Sequence, residues 1–139
     1  MKILLDTCVL SELSRPNSAV EIREFINKQN DNSIFLSVIT IGELRKGIAL
    51  LEAGSRRHNL EQWFKSIQNN YENHILPIDA ETAKIWGDIT ASAKTKGFII
   101  PAADGLIAAT AIQYNLHLVT RNVKDFKKTG VLLINPYED

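Results

Sequence analysis

The chain has 139 residues, of which 45% are hydrophobic and 23% charged, and its 16 basic residues balance its 16 acidic ones. This length suits one domain with a proper core, and the composition excludes a disordered or fibrous protein. The net charge of zero excludes a globally basic nucleic-acid-binding protein, so any nucleic-acid site must be a local patch.

Neither disulfides nor a membrane span is expected from this sequence. Cys8 is the single cysteine, which excludes an intrachain disulfide and a cysteine zinc site. No apolar run approaches the ~20 residues that a bilayer span needs, and Asp6 interrupts the first apolar run too early for a signal peptide. We therefore expect a cytoplasmic protein that does not bind membranes.

Short apolar runs alternate along the chain with longer segments of helical periodicity. This order is typical of parallel strands joined by helical crossovers, and it predicts one α/β domain over residues 1–139 with a mostly parallel sheet flanked by helices. Pro77 marks its run as an edge strand or a strand end. The five predicted strands lie at Ile3–Leu5, Ile34–Leu36, Ile75–Ile78, Leu116–Val119 and Val131–Ile134.

Apolar residues recur at helical spacing between these strands and predict the core faces of helices. A further helix, rich in alanine, is predicted from Ala102 to about Tyr114 after Pro101, and Gly97 ends the helix before it. The three apolar stripes are Ile41, Leu44, Ile48 and Leu51; Leu60, Trp63, Phe64, Ile67 and Tyr71; and Ala83, Trp86 and Ala93.

Polar residues follow several of the predicted strands. Asp6 follows the first strand, and Glu43 lies a turn into the helix after the second. Asp104 opens the alanine-rich helix, and Thr120-Arg121-Asn122 follows the fourth strand, with Asp125 three residues further on. Because ligands bind beyond the carboxyl ends of parallel strands, we expect three or four of these acids to converge.

Helix capping is the alternative role for each acid taken singly. Thr40-x-x-Glu43 matches a capping box, Asp6 is placed to cap the helix that follows it, and Asp104 lies in the first turn after Pro101. Caps have no reason to gather at one edge of a sheet, whereas gathered carboxylates repel unless protons or cations neutralise them. Oxygen ligands favour Mg²⁺, with Mn²⁺ as a substitute, and such a site suits phosphodiester hydrolysis.

Three basic residues lie next in sequence to these acids. Arg45, Lys46 and Arg121 are candidates for contacts with flanking phosphates. The alternative for Lys46 is an ion pair with Glu43 three residues before it.

Four segments that carry these residues resemble the PIN-domain ribonucleases, and within them the VapC-type toxins of type II toxin–antitoxin modules. The segments are Leu4–Leu13 with Arg15-Pro16, Ser37–Gly47, Ala102–Ala111 and Val119–Phe126, and they occur in the family order. The resemblance implies a PIN-like domain with helices on both sides of the sheet. It also implies Asp6 and Asp104 as the principal Mg²⁺ ligands, with Glu43 completing the acidic pocket.

The resemblance further implies a Mg²⁺-dependent endoribonuclease toxin that is neutralised by a cognate antitoxin and forms a homodimer or a toxin–antitoxin hetero-oligomer. In this interpretation Glu43 positions or deprotonates the attacking water. Thr120 and Asn122 orient that water or the scissile phosphate.

Two residues depart from the family pattern. Cys8 stands where members often have asparagine, so we expect a polar contact to the acidic pocket to be missing and the cysteine to be a buried apolar residue. Asn122 stands where some members have a fourth aspartate, and it adds no negative charge. The sequence therefore leaves open whether the site binds one metal ion or two, and Asp125 is the alternative fourth acid.

Two other functions compete with the nuclease. The first is a catalytically weak PIN-like interaction protein that acts mainly through an antitoxin and DNA complex. The second is a Mg²⁺-dependent phosphatase, which the sequence disfavours because Asp6-Thr7-Cys8 lacks a second aspartate two residues on.

Overall fold

The structure, a computed structural model, describes residues 1–138, and its central sheet consists of five short parallel strands. They are β1 (Ile3–Leu5), β2 (Ile34–Ser37), β3 (Ile75–Leu76), β4 (His117–Val119) and β5 (Leu133–Ile134), in the order β3-β2-β1-β4-β5. Ile3 of the central strand is paired with Ile34 on one side and His117 on the other. The predicted α/β fold is confirmed.

The strand ends differ from the predicted ones where backbone chemistry intervenes. β3 is an edge strand and ends at Leu76, directly before Pro77, as expected because proline cannot donate to the ladder. β5 begins at Leu133 rather than Val131, although Val131 is buried in the core.

The helices cover both faces of the sheet. Within residues 1–138 the α-helices are α1 (Thr7–Leu13), α2 (Val20–Asn27), α3 (Val38–Ala49), α4 (Ser55–Asn70), α5 (Ala80–Thr95), α6 (Ala102–Gln113) and α7 (Val123–Phe126). The three apolar stripes and the alanine-rich helix correspond to α3 to α6, although Leu51 and Tyr71 lie just beyond the ends of α3 and α4 and Ala83 is exposed rather than in the core. Gly97, with φ 87°, lies just beyond the end of α5. α2 was not predicted. No helix in the described part of the chain is long and apolar enough to cross a bilayer.

The core is divided by the sheet into two clusters. Leu4 points to the side that α5 and α6 cover, where Ile107, Ala108 and Ala111 are fully buried. Ile3 and Leu5 point to the other side, toward α1, α2, α3 and α4. This alternation follows from the two-residue period of a strand, and it leaves the polar residues that follow β1 and β4 at the carboxyl edge.

Candidate active site

Asp6 is the most buried acid of the predicted site. It follows β1, and its backbone N–H donates to the Val119 carbonyl at 2.9 Å. Its Oδ1 accepts a hydrogen bond from the Thr7 N–H at 2.8 Å, so Asp6 is the predicted N-cap of α1. Only 4% of the residue is exposed.

The second carboxylate oxygen of Asp6 is held by side chains from two elements. The Thr120 hydroxyl, fully buried at the end of β4, donates to Asp6 Oδ2 at 2.8 Å. The Cys8 thiol donates to the same oxygen at 3.2 Å. The expectation that Cys8 makes no polar contact is therefore wrong, because the first turn of α1 carries its sulfur back over Asp6. Burial, and next the charge of Asp6, raise the pKa of the Cys8 thiol, which therefore stays protonated at neutral pH.

Glu43 reaches the site through Thr7. The Thr7 hydroxyl donates to Glu43 Oε1 at 2.7 Å and lies 3.0 Å from Thr40 Oγ1. The alternative role of Glu43 in a capping box with Thr40 is excluded, because α3 begins at Val38 and its N-cap is Ser37, whose hydroxyl accepts from the Ile39 N–H at 3.0 Å. Thr40 and Glu43 therefore lie inside the helix, and Glu43 extends from its exposed surface toward α1.

Asp104 lies in the first turn of α6 and carries an uncompensated charge. Burial, then the charges of Asp6, Glu43 and Asp125, raise its pKa from 3.8 to about 6. Within residues 1–138, no protein group donates a hydrogen bond to its carboxylate. The helix cap is Pro101, which offers no side-chain hydrogen bond, so Asp104 is not a cap.

The loop after β4 brings a further acid to this group. The Asn122 N–H donates to Thr120 Oγ1 at 2.9 Å, and the exposed Asn122 amide makes no hydrogen bond to other side chains in the described chain. The chain then enters α7, whose first turn carries Asp125. The charge of Asp125 makes the smallest of the contributions that raise the pKa of Asp104, so Asp125 stays the candidate for a fourth acid. The sequence indicates it as the alternative fourth acid, three residues beyond Asn122.

The packing of Trp86 explains why the residue after Asp104 is glycine. A Cβ on Gly105 would lie 2.9 Å from Cδ1 of Trp86, which packs against α6 from α5. Trp86 is thus a core residue, as its place in an apolar stripe predicted. Its buried Nε1 has no hydrogen-bond partner among residues 1–138.

The basic residues of the site differ in their partners. Arg45 lies 3.7 Å from Glu61 of α4, and Lys46 makes no ion pair with Glu43 within the described residues. Arg121 lies over the ring of Tyr137, 4.3 Å from its centroid. His74 lies away from these residues, with Nδ1 2.8 Å from the Ile34 carbonyl and its ring stacked on Phe35.

The acids lie at the carboxyl edge of the sheet but, among the described residues, do not form a complete set of metal ligands. Across residues 1–138, no three histidine, cysteine, aspartate or glutamate side chains are grouped tightly enough to hold a metal ion by themselves. The predicted ligand set of Asp6, Glu43 and Asp104 stays a prediction.

The sequence and fold were compared with known proteins. The profile of the PIN domain matches residues 3–132. The chain belongs to the PIN-domain family. It is 41% identical to Toxin FitB of Neisseria gonorrhoeae, over 99% of each of the two chains. It is 36% identical to VapC ribonuclease Y4jK of Sinorhizobium fredii, over 98% of each chain. A solved structure of FitAB bound to the IR36 DNA fragment matches this PIN domain with a TM-score of 0.93 and 38% identity, covering 99% of this chain and 96% of that one. The predicted family is confirmed.

Proposed function

We propose that this chain is a Mg²⁺-dependent endoribonuclease toxin that hydrolyses RNA phosphodiester bonds. The observation that carries the proposal is the raised pKa of Asp104, about 6, which arises from burial and from three neighbouring acids. Carboxylates kept together against their own repulsion favour a bound cation. The relatives named as a toxin and as a VapC ribonuclease support the same activity.

The acidic residues fit a hard divalent ion. Magnesium is usually bound through one or two carboxylates, with waters and substrate phosphates completing the shell, so a cage of three protein ligands is not required. Asp6 and Asp104 are the residues that would hold it, with Glu43 beside them. PIN-domain VapC nucleases generally depend on a divalent metal. When bound, the ion supplies a polarised water and neutralises charge on the phosphoryl oxygens.

The chain's own residues supply orientation and proton transfer. Glu43, exposed and held by the Thr7 hydroxyl, accepts the proton of the attacking water. Thr120 fixes Asp6 through their 2.8 Å hydrogen bond, and the exposed Asn122 amide orients the water or the scissile phosphate. Because water rather than the ribose 2′-hydroxyl attacks, the products carry a 5′-phosphate and a 3′-hydroxyl.

A groove beside the acids supports neutralisation by a cognate antitoxin. It has a volume of about 820 Å³, is formed mainly by α1, α3 and α4, and extends from Thr7 and Glu43 to Leu60 and Trp63. A flexible antitoxin segment that fills the apolar part of this groove reaches the acids at its end, where an arginine or lysine is the complementary residue.

Incubation with RNA tests the activity. We expect the wild type to cleave single-stranded RNA with Mg²⁺ but not with a chelator, to leave 5′-phosphate ends, and to release no phosphate from a monoester substrate. Asp104→Asn is the control that keeps the fold and loses cleavage. A pure wild type that binds an antitoxin and DNA but leaves RNA intact would instead establish the interaction protein, which the FitAB structure on DNA makes the second candidate.

A further inference from the structure

We propose that Arg121, held by Tyr137, binds the backbone phosphate of the RNA nucleotide adjacent to the scissile bond. This subsite rests on the proposed nuclease function and adds a substrate contact to it. It consists of a small polar cavity of about 190 Å³, whose lining includes Cys8, Ser11, Glu12, Arg15, Arg121 and Tyr137. Ser11 and Arg15 also line the antitoxin groove, so the two adjoin.

The cavity adjoins the acidic residues. Cys8 lines the cavity, and its sulfur lies 3.2 Å from Asp6 Oδ2 on the other side. Arg121 directly follows Thr120, whose hydroxyl binds the same oxygen of Asp6. An RNA strand whose scissile phosphate lies at Asp6 and Asp104 would therefore place its neighbouring phosphate in this cavity.

Tyr137 restrains Arg121 without neutralising it. The guanidinium lies 4.3 Å from the centre of the ring, a contact that uses the ring face rather than the five N–H donors. Burial raises the pKa of the Tyr137 phenol, the opposing effect of Arg121 being smaller, so the ring stays neutral at physiological pH. Within residues 1–138, no carboxylate lies within ion-pair distance of Arg121.

The other arginines close to the acids have a carboxylate within ion-pair distance, although Glu61 is shared between Arg45 and Arg57. Arg15 lies 3.3 Å from Glu12, and Arg45 lies 3.7 Å from Glu61. In a chain of zero net charge, RNA needs a local positive group, and Arg121 retains both its charge and a donor geometry that matches phosphate.

Salt dependence of RNA binding tests the phosphate contact. Binding of a fluorescein-labelled single-stranded RNA is measured by anisotropy in EDTA over a range of KCl concentrations. We expect Arg121→Gln to weaken binding and to reduce the slope of log Kd against log salt by about 0.7, the value for one phosphate contact on a single strand. Arg121→Lys, which keeps the charge, should keep the slope.

The control is Lys84→Gln, an equal change of charge on the exposed surface of α5. Lys84 lies near Thr82, which contacts Gln113 at the other end of α6 from Asp104. We expect its slope to match that of the wild type. Tyr137→Phe should bind like the wild type, whereas Tyr137→Leu should bind more weakly because Arg121 loses its restraint. Circular dichroism melts establish that each variant is folded.

Cleavage kinetics with Mg²⁺ separate the two proposals. Arg121→Gln should raise KM and leave kcat nearly unchanged, since the contact is made in both ground and transition states. A wild type that cleaves RNA while Arg121→Gln keeps the wild-type slope and KM overturns the subsite and leaves the nuclease standing. A folded wild type that neither binds nor cleaves RNA overturns the proposed function, and the subsite with it.

Discussion

Asp79 and Asp104 both lie at the N-terminal ends of helices, yet the surroundings of Asp79 favour its charged form and those of Asp104 disfavour it. Asp79 caps α5, and its Oδ1 accepts from the Thr82 N–H at 3.0 Å, the Thr82 hydroxyl at 2.9 Å and the Gln113 amide at 3.1 Å. These bonds, first that from the Thr82 N–H, lower its pKa. Asp104 has no such donors and faces three other acids, and its pKa rises to about 6.

The difference separates a carboxylate that stabilises the fold from one that costs stability. A hydrogen-bonded carboxylate favours its charged form, whereas a partly buried carboxylate among like charges disfavours it. A group whose native environment opposes its charge is a candidate for function, because the fold alone gives no reason to retain it.

The largest expected contrast comes from replacing each aspartate by alanine. Asp104→Ala should lower kcat for RNA cleavage by about a hundredfold or more. Its melting temperature without metal should be equal to or above that of the wild type, because repulsion is removed. RNA cleavage assays with Mg²⁺ and thermal melts in EDTA measure the two quantities.

Asp79→Ala is the matched variant and should do the reverse. Loss of the cap should lower the melting temperature, while kcat measured well below that temperature stays close to the wild-type value. A clear drop in melting temperature for Asp104→Ala would contradict the comparison and assign Asp104 to the stabilising class.

Two buried threonines sharpen the same comparison. Thr120→Val removes the hydroxyl that donates to Asp6, and it should lower the free energy of unfolding by about 1.5–3 kcal/mol because the bond is buried and the acceptor charged. It should also reduce kcat, since Asp6 loses its support. Urea denaturation and cleavage kinetics provide the two measurements.

Thr82→Val removes the hydroxyl that binds Asp79 and Gln113 at the opposite end of α6. It should lower stability and leave kcat intact. If Thr82→Val reduced kcat as much as Thr120→Val does, the effect would be a general consequence of instability rather than of the site.

The sequence predicted the fold well where the pattern of apolar residues depends only on which residues are buried. The apolar runs at Ile3–Leu5 and Ile34–Leu36 are buried strands because only hydrophobic residues fit a sheet covered on both faces. α2 escaped prediction because it is only eight residues long, although its apolar residues Ile22, Phe25 and Ile26 recur at helical spacing and contact the core.

The site was predicted less completely because side-chain contacts depend on where elements begin. The Thr40–Glu43 capping box matched by spacing, but Ser37 starts α3 three residues earlier. The Cys8 thiol bonds Asp6 because of the geometry of one helical turn, which residue type does not reveal. The sequence indicates Asp125 as the alternative fourth acid, but whether its charge reaches Asp104 depends on how the loop after Thr120 turns into α7, which the sequence does not reveal.

The pH dependence of stability should also differ in sign between the two aspartates. The Asp104 pKa is higher in the folded chain, about 6, than its usual 3.8, so the folded state binds more protons between these values. Its contribution therefore makes the protein less stable as the pH rises from about 4 to about 6. Asp79, with a lowered pKa, contributes stability at neutral pH that is lost as the pH falls through the aspartate range.

Urea denaturation in EDTA from pH 3 to 8 checks this, with the wild type compared against Asp104→Asn and Asp79→Asn. The difference between wild type and Asp104→Asn should shift in favour of the variant on going from about pH 4 to about pH 6. A difference that is constant over this range would show that neither burial nor the charges of Asp6, Glu43 and Asp125 raise the pKa of Asp104 in the folded chain.

The smallest expected effect concerns Cys8, whose thiol donates to Asp6. Asp79 has no thiol donor of this kind. A thiol is a weak donor, so Cys8→Ala should change kcat by only twofold to threefold, about 0.5 kcal/mol, provided that Thr120 continues to hold Asp6 Oδ2. Cys8→Asn, which offers a stronger donor, should match or exceed the wild type. Single-turnover cleavage rates measure both variants.

A double-mutant cycle tests whether the two donors act together. In Thr120→Val, Cys8 is the remaining side-chain donor to Asp6 Oδ2. Adding Cys8→Ala there should lower the cleavage rate by a larger factor than it does in the wild type, because the two residues support one carboxylate and their effects are not additive. Strict additivity in this double-mutant cycle would mean that the thiol packs against Asp6 without supporting it.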